Sequence, residues 1–241
     1  MRVAWRLLTR VVWCLLMASV VLPVTADELE SQAPSARDVL DRMAKTYAGR
    51  RSYHDSGVVK TLFVGANGSR TVERPFTTAF VRPDRFRFEF KETWGGGEAI
   101  RYIVWRKGME VYKWWDFWSV VEKRDTLNLA LAGAAGVSGG SAHTVPALLL
   151  PKEVGGRRLT DMTEVRRLED AVLDKVDCFR IEGKLADSPR TLWIDKKTFL
   201  LRRIDTEAEF RDFRTVRTTT YDPVIDEDFP EEMLEFGAWK Q

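Results

Sequence analysis

Two repeating patterns of apolar residues divide the chain into predicted elements. Near the start, apolar positions recur every three to four residues, which predicts an amphipathic helix from its N-cap, Ser35, to Gly49. Its apolar face consists of Val39, Leu40, Met43 and Tyr47. From residue 53 the period changes to two, which is typical of strands with one covered face. Strands are predicted at residues 53–64, 70–82, 85–91, 98–106, 109–115 and 116–124.

A second set of predicted strands follows residue 177. These strands cover residues 178–185, 191–195, 200–210 and 214–221. Tight turns such as Lys107-Gly108 join neighbouring strands, and helices do not separate them as parallel pairing would require. The predicted fold class is therefore mainly β (α+β): a large, strongly curved antiparallel sheet with a helix or two on its concave side.

Residues 126–150, which we call the lid segment, contain no Lys, Arg, Asp or Glu. The pattern predicts a helix at residues 126–135, a flexible Gly/Ser link, and a second apolar piece at residues 146–150. Glycine frees the backbone, so the link would let the lid segment move. Its candidate lipid-contacting side chains are Leu127, Leu129, Leu131, Leu148 and Leu149.

The first 26 residues have the layout of a secretory signal peptide. A basic start precedes a short apolar run at residues 11–22, Pro23 ends the run, and Ala26 is a small residue at the cleavage position. A retained membrane anchor is the alternative, but a span needs about 20 apolar residues. We therefore expect a periplasmic protein with a signal peptide at residues 1–26 and a single domain at residues 27–241.

Charge and cysteine content limit the classes of function. The chain has 38 basic and 36 acidic residues, and cleavage of the leader removes three arginines and no acids. Nothing in this near-neutral balance indicates nucleic-acid binding. Cys178 would be the only thiol of the mature chain, so an internal disulfide is excluded. The fold must depend on its core.

The chain is rich in aromatic residues, with nine Trp and thirteen Phe. The candidates for the concave face are Phe80, Phe86, Phe88, Phe90, Trp105, Trp114 and Trp118. The alternative reading is an ordinary core in which these rings pack together. However, the predicted helix and the glycine-interrupted lid segment offer few side chains to cover them. We therefore predict a hollow, apolar interior that binds an acyl chain beneath a mobile lid.

Several motifs resemble the bacterial outer-membrane lipoprotein carrier family. They are Val81-Arg82-Pro83-Asp84 and the alternating phenylalanines of residues 85–90. Residues 191–203 (TLWIDKKTFLLRR) and the ending Tyr221-Asp222-Pro223 look like the lipoprotein-sorting (LolA/LolB-like) relatives of that family. The resemblance covers most of residues 35–236.

The resemblance implies an unclosed half-barrel with a helical lid over an apolar cavity. Such carriers take acylated lipoproteins from an inner-membrane donor and pass them to an outer-membrane acceptor. In the family, the arginine of the Arg-Pro motif holds the lid shut by bonding its backbone, and Arg82 is the matching position. The chain departs from the family in its Gly/Ser-rich stretch at residues 133–141, which would suit another lipid cargo or a sensor of mislocalised lipoproteins.

Two other functions stay open. One is an envelope-stress sensory or scaffold module of the same fold that binds a protein partner. The other is a serine hydrolase, because residues 136–140 match G-x-S-x-G around Ser138, with His143 nearby. That motif needs a strand before it and a helix after it, and here a predicted helix precedes it. We expect a monomeric carrier of acylated lipoproteins or lipids, without catalysis, cofactor, metal or nucleic acid.

Overall fold

A computed structural model describes residues 33–93, residue 97 and residues 99–236. The predicted signal peptide at residues 1–26 lies outside these described residues, so it and the domain bounds at 27–241 stay predictions. Within the described part, none of the helices has the length and apolar content that a membrane crossing requires.

In the described residues, eleven antiparallel strands form one sheet whose two end strands do not pair with each other. In chain order they are β1 (Ser52–Gly65), β2 (Gly68–Val81), β3 (Arg85–Thr93), β4 (Ala99–Lys107), β5 (Glu110–Trp115), β6 (Val120–Arg124), β7 (Thr163–Leu173), β8 (Val176–Leu185), β9 (Ser188–Asp195), β10 (Leu201–Glu209) and β11 (Phe213–Ile225). In space the order is β6-β5-β4-β3-β2-β1-β11-β10-β9-β8-β7. This unclosed, curved, mainly β architecture confirms the predicted fold class.

The pairing of β1 with β11 joins two meanders into this sheet. It runs over thirteen register positions, from Tyr53 opposite Ile225 to Gly65 opposite Phe213. Every other pair of neighbouring strands is consecutive in the chain. The edges of the sheet are therefore β6 and β7, and the first and last strands lie at its centre.

The described residues form three α-helices, two where the sequence predicts helices and a third that includes most of the predicted apolar piece at residues 146–150. They are α1 (Ala36–Ala48), α2 (Leu127–Ala135) and α3 (Ser141–Leu149). Ser35 caps α1 as predicted, in a reciprocal capping box with Asp38, and Thr126 caps α2 through the Leu129 amide. Two 3₁₀ turns complete the described structure, at Leu159–Asp161 and Glu231–Leu234.

The predicted flexible link between α2 and α3 is instead an ordered turn at residues 136–140. The Ser138 amide donates to the Ala134 carbonyl at 2.9 Å, and the Gly140 amide donates to the Ala135 carbonyl at 2.9 Å. Ser138 is fully buried. Main-chain hydrogen bonds thus continue across the turn, because glycine allows the positive φ angles of 68° at Gly139 and 96° at Gly140.

The core lies between the concave face of the sheet and the three helices. Phe80, Phe86 and Phe88 are each 0% exposed, and α1, α2 and α3 contribute buried side chains to the same cluster. The prediction of a hollow apolar interior is therefore wrong for this structure. The lid segment supplies more covering side chains than its glycine content suggested, because both of its halves are helical.

At β4 and β5 the opposite face of the sheet is covered by Phe236 of the C-terminal segment. The Phe236 ring stacks on Trp105, with centroids 4.4 Å apart, and meets Trp114 edge-on at 5.7 Å. Trp105 pairs across strands with Arg87, whereas Phe88 on the neighbouring position faces the helices. The prediction that Trp105 and Trp114 line the concave face is thus wrong, because alternation along β4 and β5 turns both rings to the other side.

Candidate functional site

The interface between the lid segment and the concave face gathers most of the predicted lipid-contacting residues. The buried ones are Phe80, Phe86, Phe88, Phe90, Leu127, Leu131, Leu148 and Leu149. Two predicted residues are exposed instead: Trp118, at 62%, lies in the turn before β6, and Leu129, at 46%, lies on the outer side of α2. In this closed arrangement the leucines of the lid segment occupy the space that an acyl chain would need.

Arg82 connects the lid segment to α1. Its Nη2 donates to the Leu149 carbonyl at the end of α3, at 2.9 Å, and to the Ala48 carbonyl at the end of α1, at 2.5 Å. Its Nε donates to the Arg50 carbonyl at 2.8 Å. The guanidinium also lies 5.1 Å from the centroid of the Phe80 ring.

A guanidinium such as that of Arg82 is well matched to the carbonyls at the end of a helix. The last carbonyls of a helix have no partner within the helix, and they carry the negative end of its dipole. A guanidinium offers several donors in one plane and stays charged, so Arg82 can bind two helix-end carbonyls and the Arg50 carbonyl at once. Arg82 therefore occupies the position that the family resemblance implies for a lid latch.

Beneath the latch lies a buried polar cluster that sequence reasoning missed. The Tyr53 hydroxyl donates to Asp55 Oδ2 at 2.7 Å, and the Thr78 amide donates to Asp55 Oδ1 at 2.8 Å. Burial raises the pKa of Asp55 to about 6, although both hydrogen bonds favour the ionised form. The carboxylate lies at an inward-facing position of β1 and is buried by tertiary packing on that face, where Tyr47 of α1 contacts Tyr53.

Three cavities on the described surface are lined by both polar and apolar groups. One of about 350 Å³ lies between the α2–α3 turn and the inward-facing residues of β9, β10 and β11, and one of about 470 Å³ adjoins it. The largest of the three, of about 740 Å³, is lined by charged groups such as Glu89 and Lys91 and by apolar groups such as Phe76. None of these three contains a predicted lipid-contacting residue, so an acyl site requires the lid segment to move.

Ser138 and His143 do not form a nucleophile–base pair. Ser138 Oγ accepts from the Ala142 amide at 3.2 Å, as a helix cap would, and donates to the Ala135 carbonyl. His143 Nε2 lies 2.5 Å from the Gly155 carbonyl oxygen. The G-x-S-x-G pattern here is a helix–turn–helix joint, not the strand–turn–helix that a nucleophile needs.

The described residues hold no group of three or more His, Cys, Asp or Glu that could bind a metal ion. Cys178 is a buried free thiol, and burial raises its pKa to about 11. A thiol that stays protonated is a poor nucleophile and metal ligand.

Comparisons with known proteins give weak likenesses. No protein-family model and no curated protein matches the chain. Among solved structures, an outer membrane lipoprotein-sorting protein domain from Vibrio parahaemolyticus aligns with 10% identity and a TM-score of 0.36, covering 82% of this chain and 95% of that one. A LolA superfamily protein from Nitrosomonas europaea aligns with 10% identity and a TM-score of 0.32, covering 85% and 99%.

The crystal structure of MucB aligns with 14% identity and a TM-score of 0.39, covering 84% of this chain and 63% of that one. These neighbours include members of the lipoprotein-sorting superfamily that the sequence resembles. At such identities and TM-scores they carry no argument about function. The fold rests on the strands and helices described above.

Proposed function

We propose that this chain is an exported, periplasmic carrier that binds the acyl chain of a lipoprotein or lipid beneath the lid segment, without catalysing a reaction. The observation that carries the proposal is the contact of Arg82 with the end of α3. Arg82 donates there to the main chain of an uncharged pair of helices that covers a face of buried phenylalanines. Opening would break this hydrogen bond and expose the buried leucines of the lid segment.

The energies allow reversible loading. An acyl chain of about fifteen methylenes gains around 12 kcal/mol gross on leaving water. The buried leucines of the lid segment, Leu127, Leu131, Leu148 and Leu149, each contribute about 1.5–3 kcal/mol to closure. Because these two quantities are of similar size, the lid segment competes with the acyl chain for the phenylalanine face. Competition of this kind lowers net affinity and favours release to an acceptor.

A fluorescent palmitoyl probe tests the proposal. We expect the purified mature chain to take up the probe, and Phe88→Leu to weaken uptake because the ring lies under the lid segment. Trp105→Leu is the matched control, since it removes an aromatic ring from the same half of the sheet on the opposite face. Native mass spectrometry would show copurified lipid. Absence of uptake, or equal effects of the two variants, would contradict the proposal.

A second candidate is a scaffold module of the same fold that binds a protein partner. It is favoured by the exposed edge strand β6, where Val120 and Val121 are exposed, and by Phe117 and Trp118 in the turn before it. An exposed strand edge can pair with an extended peptide. This candidate predicts no acyl uptake even when the Arg82 contact is removed.

A further inference from the structure

The concave face changes character beyond β1. Over β2 and β3 it carries phenylalanines. Over β9, β10 and β11, apolar residues such as Leu192 and Ile204 are joined by Arg190, Arg217 and threonines such as Thr206 and Thr219. These residues line the cavity of about 350 Å³. Its other wall is the α2–α3 turn, so the cavity lies between that turn and the sheet.

The two arginines of this cavity have no carboxylate partner among the described residues. Arg217 donates from Nε to the Thr61 hydroxyl and from Nη1 to the Gly139 carbonyl, both at 3.3 Å. The Nε of Arg190 is buried and has no hydrogen-bond partner in the described structure. The molecule therefore holds two guanidinium groups, partly withdrawn from water, without a negative charge between them.

The pKa values of both arginines are lowered by their surroundings. Burial lowers the pKa of Arg190, and the nearby charge of Arg217 lowers it further. Burial also lowers the pKa of Arg217, with a contribution from Arg74. Arg74 itself is paired with Glu92, so it does not need another anion. Partly buried positive charges that repel each other are stabilised by an anion between them.

The surroundings of Arg190 and Arg217 also favour binding of an anion. The N-terminal end of α3, which carries the positive end of the helix dipole, begins at Gly140 on the cavity wall. Arg190 also lines the adjoining cavity of about 470 Å³, together with His143 and the exposed Arg157. The two cavities thus offer space on both sides of Arg190 for a group attached to the anion.

We propose that Arg190 and Arg217 bind a phosphate group, carried by a phospholipid headgroup or by a small organic phosphate, in the cavity beneath the α2–α3 turn. Phosphate is favoured over a carboxylate because a phosphate monoester approaches a charge of −2 at neutral pH and offsets both arginines, whereas the phosphodiester of a phospholipid carries one charge. Its tetrahedral oxygens can accept from two guanidinium groups at once. The site is separate from the phenylalanine face, so it stands independently of acyl binding.

Isothermal titration with glycerol phosphate and inorganic phosphate, at constant ionic strength adjusted with chloride, tests the site in the purified chain. We expect binding to the wild type and a loss of about tenfold or more in affinity for Arg190→Gln and for Arg217→Gln. Arg166→Gln is the matched control. Arg166 is an exposed arginine paired with Glu182 away from both cavities, and its variant should bind as the wild type does.

Vesicle flotation distinguishes the two sources of phosphate. Binding to phosphatidylglycerol vesicles but not to phosphatidylcholine vesicles, lost in Arg190→Gln, would identify an anionic lipid headgroup. Binding of the small phosphates alone would identify a soluble ligand. Either result supports the site.

Absence of binding in both assays would overturn the proposal, as would affinity that Arg190→Gln and Arg217→Gln leave unchanged. Thermal unfolding gives a separate check. Without phosphate, Arg190→Gln should unfold at the same or a higher temperature than the wild type, because one of two repelling charges is gone. Where a glutamine variant fails to fold, Arg190→Lys keeps the charge but loses the planar donors, and should still bind phosphate more weakly than the wild type.

Discussion

Replacement of Arg82 by leucine tests whether this side chain holds the lid segment closed. Arg82→Leu removes three hydrogen bonds to carbonyls, but only the bond to Leu149 involves the lid segment. A hydrogen bond from a charged donor contributes about 1.5–3 kcal/mol. Arg82 is half-buried, so water can partly replace it and the lower end applies. We expect opening of the lid segment to become easier by about 1.5 kcal/mol, which is roughly tenfold.

Hydrogen exchange measures this effect directly. The Leu150 amide donates to the Pro146 carbonyl at 2.9 Å and reports on the end of α3. It should exchange about tenfold faster in Arg82→Leu. Arg37→Leu is the matched control, because Arg37 donates to the Thr160 and Met162 carbonyls at 2.7 and 2.8 Å and makes no hydrogen bond to the lid segment in the described structure.

The exchange rates of amides in β1 and at the end of α3 distinguish a latch from a general stabilising role. In Arg82→Leu, amides of the central strand β1 should be affected less than the Leu150 amide, because local opening precedes global unfolding. If both groups of amides accelerate equally, Arg82 stabilises the whole fold and is not a latch. If Arg37→Leu accelerates the Leu150 amide as much as Arg82→Leu does, the reasoning from the Leu149 contact is refuted. With a latch, onward transfer of a bound acyl probe should also become less efficient.

Three further results are expected. The native state binds the proton of Asp55 more tightly than the unfolded chain does, so this group's stabilisation is full below about pH 4 and is lost as pH rises to about 6. The wild type should therefore lose about 2.5 kcal/mol relative to Asp55→Asn between pH 4 and pH 7 in urea titrations, and parallel pH profiles would contradict the shift. Gly57→Ala should destabilise the fold by about 1–3 kcal/mol or more, because a Cβ there overlaps the Thr220 carbonyl oxygen. Gly136→Ala is the control, because a Cβ there meets open space. Equal urea unfolding midpoints for the two variants would refute the packing argument. Phe86→Ala should lower the free energy of unfolding by about 3–5 kcal/mol, since its ring is fully buried, and a cost below about 1 kcal/mol would indicate a loosely packed interior.

The sequence predicted the elements whose signals are local. The cap at Ser35 and the alternation of apolar residues identify α1 and most strands, and their bounds agree with the structure within a few residues. The uncharged run at residues 126–150 also indicated the lid segment. These predictions succeed because caps and periodicity depend on residues within one or two turns of each other.

The sequence was ambiguous where both faces of a strand are apolar. In β4, Tyr102 and Val104 face the helices, whereas Ile103 and Trp105 face the other side. Either set could cover the concave face, so the pattern alone could not assign Trp105. Phe236 of the C-terminal segment packs on Trp105 and covers the second face there. A local pattern could not predict this contact, because the two residues are far apart in the chain.

What the sequence determined by itself is a set of strands and helices, whereas the latch role of Arg82 was an implication of the family resemblance. Only the tertiary structure decided that β1 pairs with β11, that Asp55 is buried, and that Arg190 and Arg217 face one cavity. The physical reason is that burial and charge proximity arise between residues far apart in the chain. Their positions are fixed by the joint packing of the sheet and helices, which no single segment encodes.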